Sequence, residues 1–355
     1  MRDASERATH RTTDNDDQGR DMTPTRRRFH TLLAVAAATG VMLPGGAAQA
    51  QAKFPEKPIK LVVPYPPGGA TDILARGLAE GMGRDLGQAV IVENRPGANT
   101  KIATVAVSRA PADGYTLLLA SSASLVLNPM LYRQIGYAPA DFRLLGIVAE
   151  APLVVVTNAL VPARTLQEFA AYAKAQAGRV NYASVGLGNP LHLATEMLKS
   201  ALRIEAAHIP YQGSVPALTS LMANDTQLMI DAVSTSLPQI RAGKLRALAV
   251  TGSERLKDLP EVPTVAETAA PGFHAALWFG VALPGATPPA VADRLQVAVR
   301  NAMADPQYRT MLEQRALLPQ PPRSDAELRQ HVERDRAIWG KVIREHNIVL
   351  DDTGG

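Results

Sequence analysis

VVPYPPGGATD, residues 62–72, passes from apolar chain into two prolines, two glycines and a Thr-Asp pair. The run from Lys60 to Pro64 reads as a strand buried on both faces. Beyond the loop, ILARGLAEGMGRDLG repeats apolar residues at three- and four-residue spacing, with Thr71 or Asp72 placed to cap the helix and Gly87 to stop it. In an open α/β sheet, ligands bind where strands end and helices begin. Gly68 and Gly69 let a ligand approach the backbone without Cβ interference, and Pro66 and Pro67 hold the approach rigid. The N–H groups of the first helical turn, with the helix dipole behind them, suit an anion. The competing reading is a tight turn in which Asp72 only satisfies helix N–H groups.

The pattern extends outward from this loop. AVIVEN reads as a strand, RPGANT as a loop, KIATVAVSRA as a helix and YTLLLASS as a third strand. Strand–helix alternation with short connections predicts a parallel, doubly wound sheet. The same grammar restarts downstream, with strands VNYASVG, IEAAHIPY, QLMIDAV and LRALAVTG separated by helices such as LHLATEMLKSAL and SVPALTSLMAND. It is a repeat of architecture and not of sequence. Two apolar segments, Leu144–Thr157 and Phe273–Leu283, can carry the chain between lobes. The tail from Pro288 is helical in pattern and is expected to pack back on the first lobe. The expected organisation is therefore lobe 1 over 53–152, lobe 2 over 153–272, and a return to lobe 1 over 273–355. A two-lobed α/β clamshell places a ligand cleft between its halves.

The second lobe repeats the opening design in ASVGLGNPLHL, residues 183–193: strand, glycine loop, helix start. Gly186 and Gly188 bare the backbone, Asn189 can cap, and Pro190 fits a first helical position. Two such helix starts facing one another could grip a small carboxylate. Neither loop carries Lys or Arg, so backbone N–H groups and the hydroxyls of Thr71, Ser121, Ser122 and Ser184 would meet the charge.

The first fifty residues read differently. Residues 1–21 are polar and charged, and an Arg26-Arg27-Arg28 patch then precedes an apolar run from Leu32 to Leu43 and the exit Ala48-Gln49-Ala50. That is the layout of a secretory signal peptide, too short to span a bilayer. Thr25–Phe29 also fits a twin-arginine export pattern. Both routes lead out of the cytoplasm, to the periplasm. The 355-residue chain has no cysteine, which removes thiol catalysis and thiolate metal sites, and its formal net charge is only +4. No basic block with interleaved aromatics points to nucleic acid.

Enzyme readings fare poorly. Gly186-x-Gly188 lacks the third glycine of a dinucleotide fingerprint, with Leu191 in its place. Ser184 stands before a glycine, but Tyr182 occupies the position a nucleophile elbow reserves for glycine. No cofactor or metal is expected. An α/β enzyme acting on a small anion stays as the alternative reading.

As a set, FPEKPIKLVVPYPPGGATD, VIVENRPGAN, ADGYTLLLASS, VNYASVGLGNPLHLATE, IPYQGSVPALTSLMAND and LPEVPTVAE resemble Bug-type periplasmic receptors, the solute-binding subunits of tripartite tricarboxylate transporters. The resemblance covers residues 54–350. It implies a two-lobed Venus-flytrap fold of the periplasmic binding protein kind, whose two loops pinch a ligand carboxylate. It also implies a monomer delivering a small carboxylate to a membrane permease of the tripartite type or to a sensor. By position it points to Tyr65, Gly68, Gly69, Ala70, Thr71 and Asp72 in the first lobe, with Ser121 and Ser122 ending the third strand. In the second lobe it points to Ser184, Gly186, Gly188, Asn189 and His192, with Asp231 on a later strand. The family often has more glycine where Asn99-Thr100 stands, so no ligand contact is carried onto that loop. Asp72 and Asp231 could meet a ligand ammonium or hydroxyl; Asp231 reads equally as paired with a neighbouring residue of its lobe, and His192 also reads as a satisfied structural histidine. His208 reads as core, Trp278 as a hinge or lobe-packing residue, and Tyr211 and Gln212 as bordering the cleft.

Overall fold

The computed structural model describes residues 54–350 apart from residue 177. All of them belong to one compact unit, Ala50–Gly355. The stretch whose sequence reads as a signal peptide, and the polar stretch before it, lie outside the described residues.

The chain opens with β1 (Ile59–Val63), α1 (Ala70–Leu86), β2 (Val90–Asn94), α2 (Lys101–Ser108) and β3 (Thr116–Ser121). β1 pairs in parallel with both β2 and β3, as the alternating pattern requires. After a π-helical turn (Ala123–Leu127) and the short α3 (Asn128–Leu131), β4 (Phe142–Ala151) runs to Pro152, and β5 (Leu153–Asn158) continues in a second sheet. That sheet is completed by α4 (Leu166–Ala175), β6 (Asn181–Ser184), α5 (Pro190–Leu202), β7 (Ala207–Pro210), α6 (Ser214–Ala223), β8 (Leu228–Ala232), α7 (Val233–Arg241) and β9 (Leu245–Val250). After α8 (Val265–Thr268) the chain re-enters the first sheet with β10 (Leu277–Pro284). It ends in α9 (Pro289–Ala304), α10 (Pro306–Glu313), β11 (Leu318–Pro319) and α11 (Asp325–Glu345).

The strand orders are β11-β4-β10-β3-β1-β2 and β7-β6-β8-β5-β9. Both sheets are mixed and not wholly parallel, which corrects the sequence expectation. β10 is antiparallel to β3 and to β4, and β5 is antiparallel to β8 and to β9. The cause is connectivity. β4 leads out toward the second sheet and β10 leads back, while β5 enters that sheet from the direction in which its neighbours leave. The fold is therefore two-lobed α/β, with the carboxyl ends of β1, β3, β6 and β8 directed at one gap.

Local physics explains why these elements form where they do. α1 buries Leu74, Leu78 and Met82 at four-residue spacing, one stripe facing the sheet and α9. Gly87 ends it with φ +68, a left-handed stop that costs glycine little. Each fully buried leucine in this stripe contributes about 1.5–3 kcal/mol. α9 packs against α1, but α11 does more. Its buried face, including Trp339 and Ile343, joins a core that also holds Leu118 of the first sheet and Leu198 and Tyr182 of the second lobe. The final helix therefore straddles both lobes.

Candidate functional site

A cavity of about 260 Å³ opens between the sheets. Its first-lobe wall includes Tyr65 after β1, Ala70 and Thr71 at the start of α1, and Ser121 and Ser122 at the end of β3. Its second-lobe wall includes Asn189, Pro190 and Leu191 at the start of α5, Ser214 opening α6, and Ser234 and Thr235 in the first turn of α7. Four helix N-termini thus meet at one space. α1, α6 and α7 begin without a side-chain cap, so their first N–H groups are not claimed by one. α5 differs, because Asn189 Oδ1 accepts the Leu191 N–H at 3.0 Å with Pro190 in the first position.

Ser122 carries the decisive detail. The residue is 1 % exposed and lines the cavity, and its hydroxyl has no hydrogen-bond partner among the described residues. A buried hydroxyl left unpaired costs about 1–3 kcal/mol, which a polar guest bonding it would recover.

Behind the first-lobe wall stands Asp72. It lies inside the first turn of α1, whose cap is Gly69, so it is not the cap the sequence suggested. Its carboxylate accepts from the Gly68 N–H at 3.0 Å, Arg76 Nε at 2.9 Å and Asn94 Nδ2 at 2.9 Å. The Arg76 bond, working against burial and helped by Gly68 and Asn94, holds its pKa down at about 2. Asn94 Nδ2 also donates to the Tyr65 carbonyl at 3.0 Å, and the Tyr65 hydroxyl donates to Ser121 Oγ at 3.0 Å. Burial pushes the Tyr65 phenol up to about 12, against the Ser121 bond, so it stays neutral. Gly68 takes φ +85, a conformation that needs glycine. Gly68, Gly69 and Asp72 therefore shape the loop from outside the cavity wall.

The second-lobe wall is supported in the same way. Asp231 is fully buried and accepts from Ser214 Oγ at 2.7 Å, Thr235 Oγ1 at 2.5 Å and Ser236 Oγ at 2.8 Å. Burial raises its pKa against these hydroxyls. Two of its three donors face the cavity. Ser184 is buried, with Oγ 2.6 Å from His208 Nε2 and accepting from the Gly186 N–H at 3.2 Å. His192 Nδ1 accepts the Gly188 N–H at 3.1 Å, and its ring stacks on His208 at 4.2 Å between centroids. Burial, then the neighbouring His208, pushes His192 down to about 4, in keeping with a ring nitrogen that must accept.

Several expectations change. Asp72 and Asp231 each accept hydrogen bonds from donors of the protein, and neither lines the cavity. Ser184, Gly186, Gly188 and His192 brace the jaw loop instead of lining the cavity, where Val185 and Asn189 of the same loop stand. His208 is half-buried on the edge strand β7 and not core. The Tyr211 hydroxyl turns to Ser220 at 2.6 Å, and Gln212 is exposed; neither is part of the wall. Asn99, on a loop from which the sequence offers no ligand contact, does line the cavity, its Nδ2 donating to Asn128 Oδ1 at 2.9 Å. Sequence reasoning also misses Ser214, Ser234 and Thr235. The strand–helix junctions after β7 and β8 are the sequence signal that could have found them.

The model of the tripartite tricarboxylate transporter family receptor matches residues 74–348. The chain belongs to that receptor family. It is 40 % identical to the protein BugT of Bordetella pertussis over 252 residues, 70 % of this chain and 77 % of BugT. Among solved structures, an R. palustris protein with adipate is 33 % identical with a TM-score of 0.75, covering 83 % of this chain and 99 % of that one. MatC from Rhodopseudomonas palustris with bound malate is 30 % identical with a TM-score of 0.72, covering 82 % and 100 %. Family and fold are those of binding receptors and not of enzymes. The Ser184–His208 pair in this receptor agrees with a binding role. Ser184 is buried beneath the jaw loop and away from the cavity wall, so the contact braces a turn and presents no nucleophile. Among the described residues of the receptor, no helix is long and apolar enough to cross a membrane.

Proposed function

We propose that this receptor works in the periplasm as a monomer, binds a small carboxylate between its two lobes, and hands it to a permease of the tripartite type or to a sensor. Residues 53–152 and 273–355 form one jaw and residues 153–272 the other, after a signal peptide in the first fifty residues has directed export. The observation that carries the reading is the unpartnered, buried Ser122 hydroxyl in a cavity on which four helix N-termini converge. An anion there would receive N–H and O–H donors from both lobes, each charge-assisted bond contributing about 1.5–3 kcal/mol. The adipate and malate held by two solved relatives support the same ligand class. Because both walls contribute donors, the ligand binds the closed arrangement better than the open one, and that difference drives closure.

Native mass spectrometry of the purified chain, followed by calorimetry and X-ray scattering with added organic acids, tests the reading. A bound acid and compaction on its addition are expected, and Ser122→Ala should weaken binding by about 10–100-fold. Chemical turnover of the acid, or acid binding that ignores Ser122, would refute it.

A further inference from the structure

Asn99 lines the cavity from a strained loop. Its φ of 48 lies between those of Ala98 (44) and Thr100 (76), a left-handed run without glycine that other contacts must hold in place. Asn128, which begins α3 and is fully buried, supplies those contacts. Its Nδ2 donates to the Asn99 carbonyl at 2.5 Å and to Thr100 Oγ1 at 3.1 Å, which uses both of its hydrogens. Its Oδ1 accepts from Asn99 Nδ2 at 2.9 Å.

These bonds fix which way each amide faces. A backbone carbonyl can only accept, so Asn128 must turn Nδ2 to the Asn99 carbonyl and Oδ1 to the Asn99 side chain. Asn99 must then turn its own Nδ2 to Asn128. Its Oδ1 is left over, with no donor to it among the described residues. That oxygen differs in kind from the hydroxyl of Ser122, unpartnered on the same first-lobe wall. A hydroxyl can donate to a carboxylate, whereas an amide oxygen can only accept. A carboxylate oxygen therefore satisfies Ser122 but cannot satisfy Asn99 Oδ1. We infer that Asn99, oriented by Asn128, is a specificity-determining residue of this receptor, its Oδ1 accepting from a hydroxyl or ammonium that the ligand carries close to its carboxylate. The inference rests on the carboxylate reading proposed above and adds a second requirement on the ligand.

Calorimetry on the full chain, freed of bound small molecules by unfolding and refolding, tests it with three sets of acids. The sets are lactate, alanine and propionate; malate, aspartate and succinate; and mandelate, phenylglycine and phenylacetate. Within each set only one substituent changes, from hydroxyl to ammonium to hydrogen. In at least one set a donor-bearing acid should bind about ten-fold tighter than the parent acid. Asn99→Gly suits the left-handed backbone and should reduce that preference to about two-fold or less. Asn128→Ala leaves Asn99 in the chain but removes what orients its amide; it should lower the preference too, and serves where the glycine variant does not fold. Asn99→Asp places a charged acceptor at the same point and should shift the ratio of amino acid to hydroxy acid affinity about ten-fold toward the amino acid, which loss of loop order alone does not do. Acids that bind without preference for the donor in any set overturn the inference and leave the carboxylate reading standing. So does a preference that survives in every folded variant, or a ratio that Asn99→Asp leaves unchanged. Binding of none of the nine acids overturns both readings.

Discussion

Gly188 and Leu350 meet so closely that a Cβ on Gly188 would stand 2.7 Å from Leu350 Cδ1. The contact joins the second lobe's jaw loop to the end of the described chain. Leu350 in turn donates its N–H to the Leu131 carbonyl at 2.9 Å, on the first lobe. His346 adds a bond to Ser200 at 2.9 Å on α5. The segment after α11 is thus a strap across both lobes, seated against a glycine that also needs its left-handed φ of +69.

Gly188→Ala should therefore carry two costs. The left-handed backbone costs a β-carbon about 1 kcal/mol, and overpacking against Leu350 adds about 1–2 kcal/mol. Urea unfolding of Gly188→Ala, Leu350→Ala and the double variant separates them. The double variant should recover about 1 kcal/mol relative to the sum of the singles. Simple additivity would mean that Leu350 does not press on the loop.

The stacked imidazoles make the same loop sensitive to acid. His192 stands at about 4 in the folded receptor, below the ordinary value near 6.5, so the unfolded chain binds more protons between those pH values. The stability supplied by the neutral ring is complete above about pH 6.5 and is lost as pH falls through about 4. His208 is lowered as well, chiefly by burial, and adds the same sign. His192→Gln keeps an acceptor for the Gly188 N–H and does not titrate. Its unfolding free energy should depend on pH between 4 and 6.5 less steeply, by about 1 kcal/mol per pH unit. An unchanged slope would show that the ring's proton is not excluded by the fold.

Asp231 offers a different test, because it acts through other residues. Asp231→Ala strips the acceptor from Ser214, Thr235 and Ser236 and should cost about 2–4 kcal/mol in urea unfolding. Ligand affinity should fall as well, by about ten-fold, since two of those hydroxyls face the cavity. Asp231→Asn retains one acceptor oxygen and should lose less of both. Full affinity in the alanine variant would show that Ser214 and Thr235 hold their places unaided.

How far the sequence could be read follows from what each residue type encodes. The strands and helices of each lobe were legible because buried β-runs, glycine loops and helix caps act locally. Strand direction was not, because β10 and β5 are antiparallel for reasons of where the chain arrives from. Ser122, Thr71 and Asn189 were legible as cavity residues from their place at strand ends and helix starts. Asp72 and Asp231 are easily misread, since a sequence shows a carboxylate but not the donors that claim it. Asn99 was hidden by its backbone. Ala98, Asn99 and Thr100 take φ of 44, 48 and 76 in succession, a left-handed run that non-glycine residues rarely adopt and that turns this loop into the cavity wall.

Trp278, beside Leu277 at the point where the chain returns to the first sheet, ties the lobe crossing to α11. Its Nε1 donates to Asp335 Oδ2 at 2.7 Å, and its ring meets His331 edge-on at 6.0 Å. Burial pushes the Asp335 carboxyl up to about 6, against the Trp278 bond, with the Glu150 charge adding to the rise. The sign is opposite to that of His192. The native state binds more protons between about 3.8 and 6, so the stability Asp335 supplies is present below about pH 3.8 and lost as pH rises through about 6. Asp335→Asn keeps an acceptor for the indole N–H without a charge to bury. It should stabilise the receptor by about 2 kcal/mol at pH 7.5 and by nothing measurable near pH 4, in urea unfolding followed by tryptophan fluorescence. Trp278→Phe removes the one indole donor to that carboxylate and should destabilise most at neutral pH, where the charge is fully formed. A gain from Asp335→Asn that is the same at both pH values would mean that the carboxylate is not held protonated by the fold, and that the tie between Trp278 and α11 rests on packing alone.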